Sequence, residues 1–148
     1  MTERVLVVDD DAEMATVVAR HLAGEGLAAT STTSAAAARE ALADGTWAVV
    51  VTDVVMDGGG GLELLRAVQQ LQPDARVILM TAFGSLESAI EAIRGGAYDY
   101  LTKPFTMAEL TLSVRRALDE RRLRAENRRL RAEVERRYAF DALVARSP

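Results

Sequence analysis

Along its 148 residues the chain alternates short runs rich in Val, Ile and Leu with longer stretches whose apolar residues recur at helical spacing. Few architectures accommodate this alternation, because a strand, a crossover helix and a second parallel strand form a unit that repeats around one sheet. Strands are expected near residues 4–8, 27–30, 48–52, 76–80 and 99–102, with helices in the intervals. The first helix carries Met14, Val17, Val18 and Leu22 on one face and ends at residues 24–26. The second follows Ser34 as its cap and runs through an alanine-rich stretch to Asp44 and Gly45. Leu62, Leu65, Val68 and Leu71 define the third, which Pro73 closes; a fourth runs from a Ser85 cap through Ile90 and Ile93 to Gly95 and Gly96. The expected fold is α/β, a (βα)5 doubly wound five-stranded parallel sheet.

Polar residues end four of these runs. Asp9 and Asp10 follow residues 5–8, Asp53 follows 49–52, Thr81 follows 77–80, and Lys103 follows 98–102. Parallel strands end at one edge of their sheet, where such folds place ligands. Three carboxylates, a hydroxyl and an amine gathered there suit a hard cation and a phosphoryl group. Mg2+ takes carboxylates and carbonyls and keeps some of its waters, and it relieves the repulsion among crowded acids. One carboxylate can then attack phosphorus to form an acyl phosphate, with Lys103 stabilising the charge of the transition state and Thr81 donating to a phosphoryl oxygen. Singly, these residues have plainer readings. Asp11 is a candidate cap for the first helix, a Thr ending a strand is common, and most lysines are solvated. The glycines at 58–61 lack the Gly-Lys-Ser/Thr continuation of a phosphate-binding loop and read as a flexible connection.

With no cysteine, the chain has neither a disulfide framework nor a thiolate for catalysis or zinc. Its one histidine, His21, reads as a surface residue and argues against a transition-metal site. No apolar run approaches a membrane span and no leader-like segment opens the chain, so a cytoplasmic protein without membrane contact is expected.

The net charge of −4 conceals a step. Residues 1–114 hold 7 basic and 16 acidic side chains, whereas residues 115–137 hold 10 arginines and 5 acids. Such a step marks a change in the kind of structure. The fifth helix begins at Thr106, where Thr-Met-Ala-Glu109 reads as a capping box, and meets no stop signal before Ser147 and Pro148. It therefore continues past the sheet as an arginine-rich rod. In that rod Leu123, Asn127, Leu130 and Val134 form a short heptad seam, in which a core Asn favours a parallel dimer in fixed register. Glu126, Glu133 and Glu135 interleave with the arginines and weaken any attraction to phosphates, so no direct contact with nucleic acid is expected.

Val5-Leu-Val-Val-Asp-Asp-Asp11, Val51-Thr-Asp-Val-Val-Met56, Met80-Thr-Ala82 and Tyr98-Asp-Tyr-Leu-Thr-Lys-Pro-Phe105 resemble, in order and spacing, the flavodoxin-like receiver domain of two-component response regulators. The stretch from Thr81 to Tyr100 looks like the NtrC-like, sigma-54-dependent activators. Leu143-Val-Ala-Arg-Ser-Pro148 resembles the threshold of their AAA+ ATPase domain, with Ala145 in place of the usual Gly. The resemblance implies a receiver at 1–118, a helical linker with a short coiled coil at 119–140, and at 141–148 the start of a missing AAA+ domain, followed in the full-length protein by a DNA-binding domain.

It further implies that Asp53 is the phosphoacceptor for a sensor histidine kinase. Asp10, Asp53 and the backbone carbonyl of Val55 would ligate Mg2+, with Asp9 acting through water. Thr81 and Lys103 would bind the phosphoryl oxygens, Lys103-Pro104 would be a cis peptide, and Tyr100 would be the aromatic that swings inward as Thr81 moves towards phosphate. A homodimer would form through the fourth helix, fifth strand and fifth helix, and through the linker. Asp57 and the glycines after it depart from the family, which usually has Pro at that position. The expected function is a phosphorylation-dependent switch of a transcription regulator, stoichiometric in its chemistry and not an enzyme. The alternatives are a constitutive dimerisation module built on a degenerate receiver, and an aspartate-nucleophile phosphatase. The phosphatase would need an Asp-x-Asp-x-Thr/Val motif where this chain has Asp9-Asp-Asp-Ala12.

Overall fold

A computed structural model describes residues 3–56, 60–82 and 86–145. Asp57, Gly58, Gly59, the Ser85 cap, Ser147 and Pro148 lie outside the described residues. Five strands, β1 (Arg4–Val8), β2 (Ala28–Thr32), β3 (Val49–Asp53), β4 (Arg76–Thr81) and β5 (Asp99–Thr102), alternate with α1 (Ala12–Gly24), α2 (Ala35–Ala43), α3 (Gly61–Leu71), α4 (Leu86–Arg94) and α5 (Met107–Ala145). The sheet order is β2-β1-β3-β4-β5, and every pairing is parallel. The expected doubly wound (βα)5 fold is what forms.

Alternation along the strands divides the core in two. Val5, Val7, Val49, Val51, Ile78 and Met80 face α1 and α5, whereas Leu6, Val8, Val50, Val77 and Leu79 face α2, α3 and α4. All five residues of the central β3 are buried, as helices on both faces require. The edge strand β2 runs two residues further than expected, because the amide of Asp9 donates to the carbonyl of Thr32 and carries the pairing to the end of β1. Ser34 caps α2 by accepting the amide of Ala37, and Asp11 caps α1 by accepting those of Glu13 and Met14.

His21, read as a surface residue, is partly exposed and also has a partner. It is half-buried on α1, and its Nε2 hydrogen-bonds Thr111 Oγ1 of α5 at 2.6 Å. A side chain 90 positions away along the chain creates this contact, and no local pattern announces it.

Thr106 Oγ1 accepts the amide of Glu109 and starts α5, which then continues without a break for 39 residues. Leu110, Val114, Ala117 and Leu118 bury one face of it against the sheet. The helix stays attached beyond Leu118. Glu120 pairs with Arg76 at the start of β4, Arg122 pairs with Glu3, and Arg128 meets Asp74 at 3.0 Å. Leu123 within that collar and Leu130 and Val134 past it are 70%, 48% and 64% exposed.

A chain ending at residue 118 should therefore unfold with about 1–2 kcal/mol less stability than one ending at residue 130, because Arg76 is left beside the sheet without Glu120. Urea denaturation of the two lengths measures the difference, and added salt should narrow it.

Candidate functional site

The carboxyl ends of β1, β3, β4 and β5 gather the polar residues that end the apolar runs. Asp9 is fully buried, Asp53 and Thr81 are buried, and Asp10 is exposed. Carboxylate oxygens of Asp9, Asp10 and Asp53 lie within 4.8 Å of one another. Lys103 Nζ donates to Asp9 Oδ2 at 2.9 Å and to Asp53 Oδ2 at 3.2 Å, so one ammonium bridges two acids 44 positions apart. The other oxygen of each acid is held by backbone. Asp9 Oδ1 accepts the amide of Asp11 and Asp53 Oδ1 accepts that of Val55, which sets residue 55 beside Asp53.

Backbone bonds stitch the strand ends together. The amide of Lys103 donates to the carbonyl of Thr81 at 2.7 Å, and the amide of Val54 to that of Met80 at 2.8 Å. The Lys103-Pro104 peptide is cis. Tyr100 on β5 is partly buried, packed against the core beneath α2, α3 and α4. Asp9, Asp10, Asp53, Val55, Thr81, Lys103 and Pro104 thus share one sheet edge. Leu123, Asn127, Leu130 and Val134 lie on α5 away from it.

The electrostatics follow from this crowding. Burial pushes the Asp53 carboxyl above the ordinary carboxylate range; the Val55 amide and Lys103 pull it down, and the nearby charge of Asp9 pushes it up again. Burial alone would lower Lys103, but its bonds to Asp9 and its attraction to both acids leave it raised. The donor set is all oxygen, and exposed Asp10 keeps it in contact with solvent. That combination fits a hard cation that retains part of its water shell. The cluster could hold such a metal.

One residue that positions the site escaped sequence reasoning. The glycine run read as a flexible connection, yet Gly60 is the cap of α3, and Gly61 is buried and donates its amide to the carbonyl of Val54 at 2.8 Å. A Cβ on Gly61 would strike the carbonyl oxygen of Asp53 and lie 2.8 Å from Val54 Cα. The first turn of α3 is thus pressed against the backbone that carries Asp53. A glycine opening a helix after a strand is the available signal.

Comparison with known proteins agrees with this geometry. Residues 5–115 match the response regulator receiver domain. The chain belongs to that family. It is 41% identical over 145 residues to the C4-dicarboxylate transport transcriptional regulatory protein DctD of Pseudomonas aeruginosa, covering 97% of this chain and 31% of that protein. It is 44% identical over 114 residues to the DNA-binding transcriptional regulator NtrC of Escherichia coli, covering 77% and 24%. Among solved structures, NtrX from Brucella abortus in complex with ATP superposes with a TM-score of 0.83 at 34% identity, over 88% of this chain and 30% of that one. The beryllofluoride-activated NtrC4 receiver domain dimer superposes with 0.76 at 32% identity, over 80% and 98%. The chain spans about a quarter to a third of the length of these curated relatives.

Because folding raises the Asp53 pKa, the folded state holds more protons than the unfolded chain just above the ordinary carboxylate range. Stability therefore falls as pH rises through that interval and stays lower above it. Asp53→Asn removes this loss while keeping an acceptor for the Val55 amide. In metal-free buffer at neutral pH the variant should be about 1 kcal/mol more stable than the native chain, and it should gain less from added Mg2+ in thermal unfolding. Gly61→Ala should cost about 2–3 kcal/mol in the same assay, since helix or strand backbone must shift to admit the methyl group.

Proposed function

We propose that the chain is a phosphorylation-controlled switch in which Asp53 accepts a phosphoryl group from a sensor histidine kinase. The observation that carries the reading is the bridge from Lys103 to Asp9 and Asp53 at the edge where three carboxylates converge. An Asp53 carboxylate oxygen attacks phosphorus as the phosphoramidate bond of the donor breaks, and the histidine leaves with the electron pair. Lys103 moves its hydrogen bond from Asp53 to an oxygen of the new acyl phosphate while keeping Asp9. The Thr81 hydroxyl donates to another. Asp9, Asp10, Asp53 and the carbonyl of Val55 would hold Mg2+, with Asp9 acting through water. A cation held there would supply positive charge that, with Lys103, offsets the charge of the transferring group.

Output follows from movement of Thr81 towards the phosphate, with Tyr100 shifting behind it on β5. The face formed by α4, β5 and α5, where Ile90 and Ile93 are exposed, then pairs with that of a second copy. In the full-length protein this controls a sigma-54-activating AAA+ ATPase joined to a DNA-binding domain. The rod itself is a poor ligand for nucleic acid, because Arg122, Arg124, Arg129 and Arg137 each pair with an acid on the same helix.

Light scattering of the native chain and of Asp53→Asn, with Mg2+ alone and then with beryllofluoride, tests the switch. The mimic should change the mass or shape of the native chain only. An identical dimer in all four samples, with no Mg2+-dependent labelling of Asp53 by acetyl phosphate, would sink this reading in favour of constitutive dimerisation.

A further inference from the structure

We infer that the rod pairs with a second copy of itself in one polarity and one register, selected by an exchange of Glu126 and Arg131 between the two chains. The inference rests on the dimer proposed above and adds what decides its geometry. With Asn127 and Val134 at first core positions and Leu123 and Leu130 at second ones, Asp119 and Glu126 fall on one flank of the seam and Arg124 and Arg131 on the other. In a parallel pair each flanking residue faces the partner residue five positions further along, so Glu126 exchanges its contact with Arg129 of its own helix for Arg131 of the second copy, and Asp119 exchanges Arg122 for Arg124, twice each by symmetry. In an antiparallel pair like flanks meet, and acids would face acids and arginines arginines. A slip by one heptad would set Asn127 against Val134 or Glu120.

The structure supplies two further reasons. Arg131, Arg124, Arg128, Arg76 and the seam residue Asn127 line a cleft of about 300 Å3 between α5 and the turn at Asp74, the one carboxylate of that lining among the described residues. Arg124 and Arg76 share Glu120, and Arg128 takes Asp74, but Arg131 has no ion pair among the described residues. Such a cleft calls for a carboxylate from outside, and the parallel partner brings Glu126 to it. The arrangement is also sterically open. Leu123 lies five residues past buried Leu118, about 140° round the helix, so Leu123, Leu130 and Val134 are turned from the face that packs on the sheet and stay exposed, while Asn127 borders the cleft.

Charge exchange tests the proposal in the full chain. Glu126→Arg and Arg131→Glu, each alone, should weaken self-association by about tenfold in sedimentation, while an equimolar mixture should recover the affinity of the native chain as a heterodimer. Because the chain lacks cysteine, Leu123→Cys and Val134→Cys report polarity directly. Each should form a disulfide with itself; an antiparallel pair would join the two variants to each other instead. Native dimerisation with unaffected single variants, or a mixture that fails to recover, would overturn the exchange while leaving the dimer standing. A native chain that stays monomeric with and without beryllofluoride would overturn both. Mg2+-dependent labelling of Asp53, measured in parallel, separates these outcomes from failure of the phosphoryl site.

Discussion

The Lys103 ammonium between Asp9 and Asp53 holds the site together. Asp9 is fully buried, and without a counter-charge its carboxylate would be left uncompensated away from water; Asp53 beside it would compound the repulsion. One cation from β5 offsets both acids, and the backbone amides of Asp11 and Val55 hold the remaining oxygens. The edge is thereby left acidic but ordered. On the proposed reading that balance also suits the chemistry, because a carboxylate raised by burial is a stronger base and nucleophile, and Lys103 lies within reach of the oxygens that will carry the incoming charge.

Residues that obey a local rule were legible in the chain. Val5, Leu6, Val7 and Val8 signal a strand buried on both faces, and the polar residue that ends such a run must emerge at the carboxyl edge; the same rule places Asp53, Thr81 and Lys103. Asp11, Ser34 and Thr106 betray their helices because a side-chain oxygen next to an apolar period has a free amide to accept. Tertiary approaches were illegible. Gly61 lies against the carbonyl of Asp53, and His21 meets Thr111 across α1 and α5, because distant backbone arrives there. The ties of α5 to Glu3, Arg76 and Asp74 were hidden for the same reason. Charge pattern alone marks where the arginines begin, not which of them return to the body.

Those ties bear on where one structural unit ends. Apolar contact with the sheet ceases at Leu118, but ion pairs continue to Arg128, so the receiver and the first turns of the rod share one framework. Partly exposed pairs contribute little each, yet they constrain direction. A helix held by packing alone can roll on its apolar face, whereas one also pinned at Glu120, Arg122 and Arg128 has little freedom to do so.

Between Met107 and Ala145 the helix contains neither glycine nor proline, the residues at which helices bend most easily. Its far part therefore has the form of a lever arm with its fulcrum at the last ion pair, Arg128 with Asp74. The stretch from Arg128, the last tie to the body, to Ala145 is about 25 Å long at 1.5 Å per residue, and a tilt of about 5° at its base would displace its far end by about 2 Å. A movement at the body too small to rearrange any strand would become a larger displacement at the far end. Gain of this kind comes from length and stiffness, and needs no change of fold.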